Sequence, residues 1–212
     1  MQDFKIRISQ HMKAYAIIYL FMIILFLTGI IFGAVIVNSM NPIQKQDLFF
    51  YLERFFNHTV NDQGINRFTV FQESLFYHLK YLSVTFILGL SVIGLPVVWV
   101  LLFIKGLVIG FSVGFIVNQL GSQGLLFATL SIAPHNLLVI PIYIIAGSLA
   151  MIFALALMKK LFSRRSAESL FIPFVNYIVV FSVLLILSIG AALLESYVSS
   201  GAMEALIKSF YL

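Results

Sequence analysis

The sequence predicts an all-α, polytopic integral membrane protein with five transmembrane helices, the N-terminus inside the cell and the C-terminus outside. Residues 14–37 contain no charged side chain, and a helix of that length can cross a hydrocarbon core about 30 Å thick. Hydrophobic residues make up 61% of the 212-residue chain and charged residues 10%, which is unusual for a soluble domain. We therefore expect one membrane domain over residues 1–212.

The first span, residues 14–37, follows the basic side chains of Lys5, Arg7 and Lys13. Basic residues beside a span are enriched on the cytoplasmic side, so the N-terminus is predicted to lie inside. The apolar run is longer than the core of an ordinary signal peptide and lacks a convincing cleavage site, so we interpret it as a retained span.

An outer amphipathic segment is predicted over residues 41–75. Asn41 and Pro42 have the pattern of a helix cap followed by proline at the first helical position. A second helix is expected after the turn-like residues 61–64 and runs into span two. The candidate partner surface consists of apolar side chains at helical spacing, namely Leu48, Phe49, Leu52, Phe55, Phe56, Phe68 and Phe71. These helices can pack on each other, lie among the lipid headgroups or bind a partner.

Spans two and three are predicted at residues 76–95 and 97–118, with a tight cytoplasmic break at Gly94 and Pro96. A single span over residues 81–104 would leave only residues 106–117 for the next one, about 18 Å of helix, which is too short to cross. The chosen division leaves Lys105 inside the bilayer.

Span four needs a helix break, because residues 125–158 are too long for one simple crossing and contain two prolines. We predict a half-helix over residues 125–133, either re-entrant or interfacial, and a full span over 137–158. The residues assigned to this break are Pro134, His135, Asn136 and Pro141. A basic cluster that begins at Lys159 places the end of span four in the cytoplasm.

Span five is predicted over residues 171–194 and returns the chain to the outer side. The remaining residues, 195–212, alternate apolar and polar side chains in a pattern typical of an amphipathic helix on the outer face.

Two spans carry glycines four residues apart. They are Gly29 and Gly33 in span one and Gly106, Gly110 and Gly114 in span three. Such spacing leaves a strip without side chains, where two helix backbones can approach closely. We expect packing within one chain, with homo-oligomerisation or partner binding as the alternative.

Lys105 is the predicted intramembrane polar site, and such residues are functional candidates by default. No Asp or Glu lies within the predicted spans, so Lys105 lacks the acidic partner expected of a coupled transporter. Its side chain can reach the headgroups, contact a partner or lipid, or take part in transport. His135 is expected about 20 Å away along the bilayer normal.

Several function classes are not supported by the sequence. The chain contains no cysteine, and its histidines do not share metal-ligand spacing. We find no catalytic triad, phosphate-binding glycine loop or close carboxylate pair. The basic residues lie next to apolar spans, where they contact anionic lipid, so nucleic-acid binding is not expected. We therefore predict no enzyme activity and no metal or cofactor site.

Three segments of the chain resemble a known family in their sequence and in their order along the chain. They are FLTGIIFGAVIVNSMNPIQKQDL, GLPVVWVLLFIKGLVIGFSVGFIVNQLG and IAPHNLLVIP. In this order and spacing they closely resemble stage II sporulation protein M of endospore-forming bacteria, over nearly the whole chain. The resemblance implies a non-enzymatic anchor in the mother-cell membrane, at the sporulation septum and then at the engulfing edge. It also implies two partners, stage II sporulation proteins D and P, which cut peptidoglycan.

Overall fold

The structure, a computed structural model, describes residues 10–61, 66–162 and 170–211, and within them it is helical without a strand. Three helical stretches are long and apolar enough to cross a membrane, namely Ala16–Ser39, Val92–Phe162 and Phe171–Ser209. The predicted all-α membrane protein is therefore confirmed. The five-span count and its orientation stay predictions.

In the described part of the chain, residues 10–14 are helical and seven α-helices follow them. They are α1 (Ala16–Ser39), α2 (Pro42–Asn61), α3 (Arg67–Gly89), α4 (Leu95–Phe127), α5 (Ala133–Phe162), α6 (Phe171–Leu193) and α7 (Ser200–Tyr211). A 3-10 turn, Val92–Gly94, precedes α4. Two π-helical turns, Ala128–Ile132 and Leu194–Ser199, lead into α5 and α7.

Local capping chemistry explains where α2 and α3 begin. Pro42 is the first residue of α2, and the backbone N–H of Asn41 donates to Gln44 Oε1 over 3.1 Å. The Asn66 side chain accepts hydrogen bonds from the N–H groups of Phe68 and Thr69, which would otherwise lack partners in the first turn. Helix α3 then runs without interruption into the segment predicted as span two. Residues 62–64 of the predicted turn lie outside the described residues.

The chain reverses twice around α4. The first reversal follows α3, where the Val92–Gly94 turn leads into α4 with Pro96 in its first turn. The second is at Gly121, whose φ of 58° and ψ of −129° interrupt the helix. Gly124 consequently lies against the backbone carbonyl of Ile116. We call this side of the molecule the Gly121 end and the opposite side, where α5 ends, the Lys160 end.

The predicted half-helix over residues 125–133 is wrong. The chain stays helical from residue 122 through the π-helical turn Ala128–Ile132 and along α5 to Phe162. Pro134, His135, Asn136 and Pro141 lie within α5 and do not break it. A proline ring clashes with the carbonyl four residues before it, and the wider π turn ahead of Pro134 accommodates that ring without ending the helix.

The tail is also continuous with the helix before it. Helix α6 passes through the π-helical turn Leu194–Ser199 into α7, so residue 195 does not start a separate segment. Ile207 of α7 is fully buried, and it forms an apolar cluster with Phe56, Ile116 and Phe127 at the Gly121 end. The main core lies between α1, α3, α4, α5 and α6, around Met22, Leu82, Leu102, Tyr143 and Phe181.

Candidate functional site

The predicted glycine strip lies at the contact between α1 and α4. A β-carbon at Gly29 or Gly33 would collide with the carbonyl oxygens of Phe103 and Leu107, respectively. Gly106 faces the Phe26 carbonyl in the same way. Because higher residue numbers in α1 meet higher numbers in α4, the two helices are parallel.

Further along the same contact, a β-carbon at Gly110 would collide with the Ile30 carbonyl. Gly114 has more room, since the nearest atom is 3.3 Å away, on Ala34. All five predicted glycines are thus used within one chain, which leaves no bare strip on this face for a second copy.

Helix α2 has two different faces at the Gly121 end. The inner face carries Phe56, which is buried and lies 5.5 Å from Phe127, ring centre to ring centre. The outer face carries Phe50, Tyr51 and Phe55, which are 54%, 65% and 44% exposed. Arg54 lies on this outer face with its guanidinium 5.0 Å from the centre of the Phe50 ring. Helix α2 therefore presents an aromatic and cationic surface away from the bundle.

The predicted partner surface divides between these two environments. Phe55 and Phe68 are exposed and Phe56 is buried. The remaining candidates, Leu48, Phe49, Leu52 and Phe71, are half-buried. Helical spacing identified the apolar positions, but it could not distinguish the face that packs on α7 from the face that points outward.

A buried polar chain links α3, α5 and the turn before α7. The Ser74 hydroxyl donates to Glu195 Oε2 over 2.5 Å and lies 3.2 Å from His78 Nε2. The other ring nitrogen, His78 Nδ1, lies 2.6 Å from the Tyr143 hydroxyl. Ser74, His78 and Tyr143 are almost fully buried. We call these four residues, Glu195, Ser74, His78 and Tyr143, the polar chain.

Lys105 lies beside the Tyr143 end of this chain. Its Nζ donates to the Tyr77 hydroxyl over 3.0 Å and lies 4.1 Å from the centre of the Tyr77 ring. The same nitrogen is 5.3 Å from the centre of the Tyr143 ring. The structure therefore places Lys105 in contact with aromatic side chains of the bundle, which is not one of the uses predicted from the sequence.

His135 and Asn136 extend the polar region around the second π turn. His135 Nδ1 lies 3.0 Å from the Ser199 hydroxyl, and Asn136 Nδ2 is 3.1 Å from His135 Nε2. Ser199 belongs to the same π-helical turn as Glu195, so His135 lies next to the Glu195 end of the polar chain. The separation of about 20 Å between His135 and Lys105 stays a prediction.

The structure brings one acidic residue, Glu195, into contact with the bundle. The sequence predicts Glu195 in the outer tail, because it directly follows the apolar part of span five. The π-helical turn instead directs it toward α3, where it meets Ser74 and His78. Ser74 and His78 were missed as well, although their spacing of four residues places them on one helix face. No group of three or more His, Asp or Glu with metal-site geometry occurs among the described residues.

Comparison with known proteins identifies one family. A family model described as Stage II sporulation protein M matches residues 22–200, which is most of the chain. Neither the curated proteins nor the solved structures gave a match.

Proposed function

The chain belongs to the stage II sporulation protein M family, and we propose that it is a non-enzymatic membrane anchor of the sporulation engulfment machinery. In this proposal it recruits peptidoglycan-degrading proteins to the septal membrane and then to the engulfing edge of the mother-cell membrane. Family membership itself supports a sporulation-related membrane protein. The anchoring role rests on the exposed outer face of α2 and on the glycine-lined contact between α1 and α4.

The outer face of α2 is the observation that carries the proposal. Phe50, Tyr51 and Phe55 expose large apolar area beside the cation of Arg54, and aromatic side chains and arginine are enriched at protein interfaces. Phe56 holds the opposite face of α2 against α7, so the exposed residues are presented on a fixed support. The partners proposed for this surface are stage II sporulation proteins D and P.

The glycine-lined contact supports the same role. It joins α1 to α4 along their length, and α1 leads directly to α2. A close-packed support of this kind limits movement of α2 relative to the membrane, as an anchor requires.

Affinity capture from sporulating cells tests the proposal. The variant Phe50→Ala/Tyr51→Ala/Phe55→Ala removes the aromatic side chains of the outer face of α2, and it should retrieve the two peptidoglycan-degrading proteins at least about tenfold less well than the wild type. Loss of three interface aromatics typically costs more than the 1.4 kcal/mol that corresponds to tenfold.

A matched variant controls for loss of exposed apolar area. Leu161 and Phe162 are 77% and 85% exposed at the Lys160 end, so Leu161→Ala/Phe162→Ala should retrieve both proteins as well as the wild type does. Equal retrieval by the α2 variant and the wild type would contradict the proposal.

A small membrane transporter or channel is the second candidate function. Its specific support is the polar chain, which begins beside Lys105 and ends at Glu195, since ionisable groups inside a membrane domain often mark an ion or proton pathway. Lys105→Met separates the two functions. An anchor should still capture its partners with this substitution, whereas a transporter should lose its transport activity.

A further inference from the structure

An open groove lies among the helix ends at the Lys160 end of the molecule. Its volume is about 600 Å³, which is in the range of sites that bind small ligands. The lining residues come from the end of α5, the start of α6 and the residue that follows α3. They include Phe153, Leu157 and Lys160 of α5, Phe171 and Phe174 of α6, and Leu90. Three helices thus contribute to one groove, which we call the Lys160 groove.

The Lys160 groove is apolar at one end and basic at the other. Phe153, Leu157 and Lys160 are spaced four and three residues apart, so they share one face of α5. At 1.5 Å per residue, Lys160 lies about 10 Å further along the helix axis than Phe153. The inner end is closed by Phe153, which is buried and whose ring centre lies 5.9 Å from that of Phe174 and 4.8 Å from that of Tyr177. The groove therefore fits a molecule with an apolar chain and an anionic head.

The positive charge of Lys160 is not neutralised by any residue in the described part of the chain. The ion pairs found there join His78 to Glu195 and Lys208 to Glu204. Lys160 is exposed, and a lysine stem can follow apolar surface while its ammonium group reaches the lipid headgroups. The basic end of the Lys160 groove can therefore attract a negatively charged headgroup.

We propose that the Lys160 groove binds one anionic phospholipid, with an acyl chain along Phe153, Leu157 and Phe174 and the phosphate beside the Lys160 ammonium group. Basic pockets between transmembrane helices bind the headgroups of anionic lipids. A zwitterionic lipid can fill the apolar part of the groove, but its headgroup brings a second cation near Lys160. The site therefore prefers a lipid with net negative charge. This preference is independent of the partners proposed for α2.

Native mass spectrometry of the full chain in detergent micelles tests the proposal, with phosphatidylglycerol and phosphatidylcholine of the same acyl chains as probes. One phosphatidylglycerol should stay bound, with a Kd at least about fivefold lower than that of phosphatidylcholine, since one lysine near the headgroups contributes on this scale. Glycerol phosphate has the anionic head without the chains and should not compete. Equal Kd values for the two lipids, or competition by glycerol phosphate, would overturn the proposal.

Two neighbouring lysines provide a matched pair of variants. Lys160→Gln should abolish the preference for phosphatidylglycerol, because it removes the charge at the groove. Lys159 is also exposed at the end of α5 but does not line the groove. Lys159→Gln should keep the preference within about twofold, since solvent screens a charge that makes no direct contact. Equal loss in both variants would show a general effect of surface charge and would contradict a site at Lys160.

A second pair tests the apolar end of the groove. Leu157→Trp places a bulky side chain inside it and should lower retention of both lipids about tenfold or more, since overpacking in an apolar site costs on this scale. Met158→Trp adds the same side chain at a position outside the lining and should retain lipid as the wild type does. The lysine pair changes only exposed side chains, so its result stands even if Leu157→Trp fails to fold. Unchanged retention in a folded Leu157→Trp would refute the proposal. A wild-type dimer that Leu157→Trp removes would assign the groove to a second copy of the chain and would refute it as well.

Discussion

Gly110 of α4 lies against the backbone carbonyl of Ile30 in α1, with no space for a β-carbon between the two helices. The obstructing atoms belong to a helix backbone, which cannot move aside as a flexible side chain can. This contact fixes the helix that leads into α2.

Gly110→Ala should therefore lower the free energy of unfolding by about 1–3 kcal/mol, the usual cost of overpacking. Gly147→Ala is the matched control, since a β-carbon there would make ordinary contacts at 3.7 Å or more. Unfolding in detergent micelles measures both variants. Equal stability of the two would show that the α1–α4 contact is looser than the structure indicates.

The chain reversal at Gly121 depends on a backbone conformation that other residues rarely adopt. Gly121→Ala should lower the free energy of unfolding by about 1–3 kcal/mol through backbone strain, because Gly121 has a φ of 58°. The space around Gly121 is open, so crowding does not contribute to this cost. Gly190 also has open space but lies within α6, so Gly190→Ala should stabilise the protein by up to about 1 kcal/mol. Thermal unfolding of the pair distinguishes strain from crowding, and a stabilised Gly121→Ala would refute the strained reversal.

Two neighbouring phenylalanines of α2 should have opposite effects. Phe56→Ala should destabilise the contact of α2 with α7 by about 3 kcal/mol, since it empties a buried site. Phe55→Ala should leave stability within about 0.5 kcal/mol, because that side chain is exposed. Limited proteolysis of α2 reports the difference. Faster cleavage of the Phe55 variant than of the Phe56 variant would reverse the assignment of the two faces.

The start of α3 depends on its side-chain cap. Asn66→Ala removes two hydrogen bonds to backbone N–H groups, of 3.1 and 3.3 Å, and should lower the free energy of unfolding by about 1 kcal/mol. Gln72→Ala changes an exposed residue of the same helix, so its effect should be within about 0.5 kcal/mol. Chemical denaturation compares them, and an Asn66→Ala variant as stable as Gln72→Ala would argue against the cap.

Features that depend on local chemistry were predictable from the sequence. The helix start at Pro42, the break around Gly94 and Pro96 and the all-α membrane class all follow from capping, proline geometry and apolar length. Features that depend on π-helical turns were not. A π turn changes which way later side chains point without any distinctive residue pattern, so the sequence predicts His135 at a helix break and Glu195 in the tail.

The polar chain illustrates the same limit. Ser74, His78 and Glu195 come from positions up to 121 residues apart, and a single sequence gives no direct signal of such contacts. By contrast, the expectation that the second outer helix runs into span two agrees with α3, which is one helix over Arg67–Gly89.

Cysteine accessibility in intact sporulating cells tests most directly whether α2 can meet partners that cut peptidoglycan. The chain has no cysteine, so Gln46→Cys in α2 and Leu161→Cys at the Lys160 end each introduce a single exposed thiol. An anchor with α2 outside the cytoplasm predicts that a membrane-impermeant maleimide labels Gln46→Cys in intact cells and labels Leu161→Cys only after permeabilisation. Labelling of Leu161→Cys but not Gln46→Cys in intact cells, or equal labelling of both, would contradict it.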